Sequence, residues 1–468
     1  MTTRRFLGAL ASFALAAAPM AGQQFSHDIP LAGLGNGQPA KPFGLAYEPG
    51  LDRIFVALAG SFGGPNDVVA VIDPAVDAVV ATIQVGLYPE EIAFAYDSLG
   101  QLQFGAVTNS TSGSVSLFDP SLNVLGEVAL PDPFGLGTCY PFGICWEPGA
   151  QRFLVSTLDG SGEVYAIDPQ AMSVDAAASH SLPLSSGSRM LVHQGRLWNA
   201  ATRYNASFTS ADAALASIEL ATGSQAETLL LSEARAFFPA VQDLIALPDG
   251  DVLAGAVASN GLLYRFDGQG QLESTIHLPS ASGAHGLALG PQGRLLAVCD
   301  LYADTLIVYD LEARTETASF ALNTIGLGYG QPNDAVFAHG KLYLSSQATE
   351  EVLVFDQLPS PPPAPSYAGS LTLSSSTPQP GDPVTATVQG SGAVALLIAR
   401  EGTGAVFANG QLDIGPRVSL RAQGWTSAQL TQTLPQDPAL RGLHLWLQGA
   451  VALDTTPALT EARVLIVQ

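Results

Sequence analysis

Residues 67–109 read DVVAVIDPAVDAVVATIQVGLYPEEIAFAYDSLGQLQFGAVTN, and their reading decides the fold. An apolar run ends at Val71-Ile72-Asp73-Pro74, and after a turn a second run covers residues 79–85. A Gly-x-x-Pro step, Gly86 to Pro89, leads to a third run at 92–95. A polar turn follows, and a fourth closes on Ala106-Val107-Thr108-Asn109. Short runs of this kind, bounded by Gly, Pro and Asp, are strands. Four of them in roughly 45 residues make one small antiparallel sheet, which cannot bury both faces alone. One copy therefore predicts further copies.

The end of the apolar run recurs as Ile72-Asp73, Phe118-Asp119, Ile167-Asp168, Ile218-Glu219, Phe266-Asp267, Tyr309-Asp310 and Phe355-Asp356. Successive acids lie 46, 49, 51, 48, 43 and 46 residues apart. Near-constant spacing over seven copies is the mark of a radial repeat architecture. The acid is expected to accept N–H bonds from the turn after its strand, a structural role.

The stretch resembles the YVTN family of β-propeller repeats, with residues 106–109 where that family's signature tetrapeptide falls. The likeness is close over residues 42–183 and looser over 187–232, where an insertion at 202–212 lengthens one loop. It implies an all-β fold, a seven-bladed β-propeller, and no single function, because that fold hosts many. Residues 24–33, QFSHDIPLAG, resemble the fourth strand of a blade, while the last repeat ends in prolines without one. The expectation is a ring closed by the N-terminal strand, which removes free sheet edges.

The chain is 47% hydrophobic and 13% charged, with 48 Gly and 32 Pro, as suits an all-β protein rich in turns. Its net charge of −23 argues against nucleic acid or an anionic membrane as partner. Residues 1–22 read as a signal peptide: Arg4-Arg5, an apolar stretch at 6–18, then small residues. The expected destination is secretion, or the periplasm and cell envelope. No later apolar run is long enough to span a bilayer. Cys139, Cys145 and Cys299 are an odd set. Cys139 and Cys145 can bridge if the segment between them bends, but if extended they lie roughly 20 Å apart, too far for a disulfide.

Four parts follow: the signal peptide, the propeller at 23–357, a proline-rich linker at 358–366 and a tail at 367–468. The tail shows strands at 370–374, 384–389, 393–399, 443–447 and 464–467, which predict a small β-sandwich. Residues 434–448 resemble a C-terminal module of secreted bacterial multidomain proteins, implying an accessory or surface-association role.

In a propeller the first strand of each blade lines the central channel. Aligning blades on Pro42-Phe43-Gly44-Leu45 fills the slot of Gly44 with Glu91, Gly143, Arg189, Asp243, Gly286 and Asp334. The preceding slot, that of Phe43, takes Glu90, Phe142, Ser188, Gln242, His285 and Asn333. Second-strand ends add Asn109, Asp159, Asn260 and Asp300, each explicable as a turn former. Carboxylates gathered in a narrow channel are costly, and a divalent ion, Arg189 or water relieves them. Glu91, Asp243 and Asp334 are thus candidate ligands for Ca2+ or Mg2+. His285 is a candidate acid/base, and Arg189, Asn333, Phe43, Phe142 and Gln242 are candidate ligand contacts. No motif demands a cofactor. No nucleophile elbow, P-loop, HExxH or dinucleotide fingerprint occurs. Two functions are open: a scaffold for a protein, glycan or small-molecule ligand, and a metal-dependent lactonase- or lyase-type enzyme.

Overall fold

The computed structural model describes residues 24–36, 38–182, 185–204, 211–232, 240–257, 261–326 and 328–356, plus backbone strand segments between 370 and 466. Residues 24–356 form seven antiparallel sheets, the blades of a propeller. Blade 1 takes Pro42–Glu48, Arg53–Leu58, Val68–Asp73 and Ala78–Gln84 in sequence order. The first strands of the next six are Pro89–Tyr96, Pro141–Glu147, Ser185–His193, Ala240–Ala246, Gly286–Leu289 and Pro332–Ala338. In the seventh blade, Gln24–Pro30 runs antiparallel to Glu351–Asp356, with Ile29 opposite Val352. The expected signal peptide and linker fall outside the described residues.

The second and third strands of a blade are apolar along their whole length because both faces are covered. In Arg53–Leu58, Ile54 and Val56 pack towards blade 7 with Ile29, Tyr343 and Val354. Phe55 and Ala57 pack the other way, against Phe94, Val107 and Phe118 of blade 2. The same arrangement fills the seams between blades 2 and 3, 3 and 4, 5 and 6, and 6 and 7. Each fully buried large side chain in these seams contributes about 1.5–3 kcal/mol.

Asp73, Asp119, Asp168 and Asp267 accept N–H bonds of 2.8–2.9 Å from Ala75, Ser121, Gln170 and Gln269, as expected. Glu219 and Asp310 also pair with Arg196 and Arg294 across the hairpin, and Asp356 accepts from Ser26 of the first strand. The insertion at 202–212 lengthens strands as well as a loop: Arg196–Tyr204 and Ala211–Glu219 pair as far as Tyr204 opposite Ala211. All three cysteines are free and buried.

In the C-terminal region, two expected strands are one, Pro383–Ala399, with its pairing shifted across Gly390-Ser391-Gly392. Its first half pairs with Ser370–Leu373 and its second with His444–Leu453. Ser419–Thr433, unforeseen in the sequence, runs along its other edge. With Thr456–Leu459 and Arg463–Ile466 these strands form a six-stranded sheet, and Ala405–Phe407 with Gly410–Leu412 make a ribbon. A second sandwich sheet is not among the described residues. Among the described residues no helix is long and apolar enough to cross a membrane.

Candidate functional site

In blades 1, 2, 3, 4 and 7 the two slots aligned from the sequence are the two residues of a β-bulge. Pro42 faces Leu58 and Leu45 faces Val56, so Phe43 and Gly44 together oppose Ala57. Likewise Glu90 and Glu91 oppose Thr108, Phe142 and Gly143 oppose Ser156, and Asn333 and Asp334 oppose Ser345. In blade 4 the pair is Ser188 and Arg189, while in blade 5 Gln242 alone is extra. A bulge breaks the ladder, bends the strand and re-aims its side chains.

In blades 2, 3 and 7 a second-strand hydroxyl satisfies backbone that the bulge frees. Thr108 Oγ1 accepts from Glu91 N at 3.0 Å and donates to Phe142 O of the next blade at 2.7 Å. Ser156 Oγ repeats this with Gly143 N at 3.1 Å and Ser188 O at 2.7 Å. Ser345 Oγ accepts from Asp334 N at 2.9 Å. These hydroxyls had no signal in the slot alignment. The glycines of that ring have a steric origin: a Cβ on Gly143 would collide with Ser188 O, and one on Gly44 with Glu90 O.

Blades 2, 4, 5 and 7 bring Glu91, Arg189, Asp243 and Asp334 together. Arg189 Nε donates to Glu91 Oε1 at 2.9 Å, and Nη1 to Asp243 Oδ2 at 2.6 Å. Nη1 and Nη2 reach Asp334 Oδ1 and Oδ2 at 3.0 and 2.8 Å. Backbone amides add to this: Leu287 N donates to Asp243 at 2.6 Å, and Leu45 N to Asp334 at 2.7 Å. Burial dominates the titration of the acids. It pushes Glu91 up to about 8, with Arg189 opposing and both aspartates reinforcing. Asp243 is pushed up to about 6, and Asp334 is raised, both against the pull of Arg189. Burial disfavours the charged guanidinium, but Asp243, Asp334 and Glu91 outweigh it and hold Arg189 above its ordinary value.

The expected metal ligands therefore surround a cation that the chain supplies itself. No group of three or more His, Cys, Asp or Glu side chains suited to a metal occurs among the described residues.

The preceding slot forms a separate layer. Phe43 and Phe142 meet edge to face at 5.7 Å, so each ring covers the other. Glu90 is 4% exposed, and burial raises its carboxyl well above the ordinary range. Asn333 is buried, and its backbone carbonyl takes a bond from His285. Burial, then Arg189, push His285 down to about 3, so it stays neutral and is a poor general base near neutrality. Gln242 is half-buried. Asn109, Asp159 and Asp300 bond within their own turns or to Ser282, and Asn260 lies outside the described residues.

A cavity of about 380 Å³ adjoins the charged cluster. Phe43, Phe142, Gln242, His285 and Asn333 do not line it, contrary to the expected rim. Its walls follow the first strands onward, from Leu45 to Tyr47, Asp243 to Ile245, Leu287 to Leu289 and Asp334 to Phe337. The Arg189 cluster is its floor.

Fold and site together define an all-β, seven-bladed propeller with an ion-paired axis. No protein family and no curated protein matches the sequence. Among solved structures, the chain is similar to Kuenenia stuttgartiensis hydrazine synthase, with a TM-score of 0.52 and 17% identity over 70% of this chain and 98% of that one. It is also similar to a streptogramin B lyase structure, with a TM-score of 0.53 and 13% identity over 70% and 96%. At these identities the likeness concerns the fold.

Proposed function

We propose that this chain is a secreted, YVTN-like propeller that acts as a binding scaffold in the bacterial envelope or outside the cell. Its ring is closed by the N-terminal strand, and the C-terminal region serves as a β-sandwich accessory domain. The observation that carries the proposal is the ion pairing of Arg189 with all three axial carboxylates. The guanidinium occupies the point on which the three acids converge and offsets one of their charges, so the axis carries a cation of its own in the place expected for a metal. What remains is a preformed recess of ligand size on a rigid ring.

The test is thermal unfolding with calcium, with magnesium and with chelator. A ligand present at 100 times its Kd stabilises by about 2.7 kcal/mol, enough to move Tm by several degrees. The expected result is a Tm that does not respond to either ion. A metal-dependent rise that disappears in both Glu91→Ala and Asp334→Ala would restore the lactonase- or lyase-type alternative.

A further inference from the structure

We infer that the axial cavity is a site for a small organic ammonium ion, an inference that rests on the binding function proposed above. The cavity itself is the first observation: about 380 Å³, with walls drawn from all seven blades. Leu45, Ile144, Ile245, Leu289 and Phe337 are among the wall residues, while polar atoms make up most of the exposed lining, which suits a small polar cation with a short hydrocarbon body. The floor is the second observation. Three carboxylates share one guanidinium, so full ionisation leaves two negative charges at the end of the recess. Without a further cation, burial raises all three acids, and Glu91 keeps its proton to about pH 8. An arriving ammonium takes the place of that proton: its N–H groups donate to the carboxylates, and Glu91 releases H+ to solvent. An anionic ligand meets no free cation here, because Arg189 is already committed, and a neutral one cannot displace the proton.

Benzylammonium, benzyl alcohol and benzoate share a ring and differ in charge, so they are the probes. Calorimetry of the full chain at pH 5, 6 and 7 measures their affinities, and two buffers of different ionisation enthalpy count released protons. The expected result is benzylammonium binding that tightens by up to about tenfold per pH unit for one displaced proton, with the other two probes much weaker. Ile245→Trp, which fills the cavity away from the floor, should abolish binding. Glu91→Gln should remove most of the pH dependence. Equal affinity for benzyl alcohol, pH-independent binding, or full binding by a folded Ile245→Trp variant would each overturn the inference. Absence of benzylammonium binding with a metal-insensitive Tm sinks this inference alone. Calcium or magnesium that raises Tm and competes with benzylammonium removes the scaffold reading as well.

Discussion

Glu91 stores a proton because its surroundings make ionisation costly. Its folded pKa of about 8 lies above its ordinary value of 4.5. The folded chain therefore holds a proton that the unfolded chain has lost between these limits. That contribution to stability is full below about pH 4.5 and disappears as pH rises through 8. Glutamine at this position keeps a hydrogen-bond acceptor for Arg189 Nε and cannot ionise. The Tm of Glu91→Gln minus that of the wild type should rise steadily from pH 5 to 8.5; a flat difference across that range would show that Glu91 is not protonated in the fold. The unusual positions were legible in the repeat alignment, since acids stood where other blades have glycine. Whether a metal ion, a guanidinium or water met them depends on distances across the ring, which repeat alignment does not contain.

The bulged first strand is the element on which the axis depends. The tetrapeptide Ala106-Val107-Thr108-Asn109 acquires a physical meaning there. Ala106 and Val107 fill opposite seams, Thr108 bridges two blades, and Asn109 Nδ2 bonds Ser114 and Ser116 within its hairpin. Thr108→Val keeps the shape and loses the hydroxyl, stranding Glu91 N and Phe142 O. A loss of about 1–3 kcal/mol in denaturant unfolding is expected, with Thr108→Ser within about 1 kcal/mol of the wild type. Equal losses in the two variants would mean that packing of the methyl group, rather than the hydroxyl bridge, is what matters. Strands were readable from apolar runs and turn residues. Bulges were not, because an extra residue in a strand has no composition of its own. Their trace was indirect: two adjacent slots per blade varied together in polarity while their flanks stayed apolar.

Across the molecule, Arg189 is a single residue of blade 4 that ties blades 2, 5 and 7 through charge. Apolar seams join only neighbouring blades, so this cluster adds cohesion across the ring that seams do not provide. Burying it has a desolvation cost, and the three acids together exceed the one cation. Removing Arg189 leaves the acids without their counter-charge, which in buried pairs typically costs about 3–5 kcal/mol. Protonation can offset that cost, because a neutral carboxyl needs no cation. Arg189→Met should therefore unfold well below the wild type at pH 8 and recover much of the difference at pH 5. Thermal unfolding followed at both pH values decides the matter. If the deficit is as large at pH 5 as at pH 8, the guanidinium stabilises the ring by its packing, and the charge balance assigned to the axis is wrong.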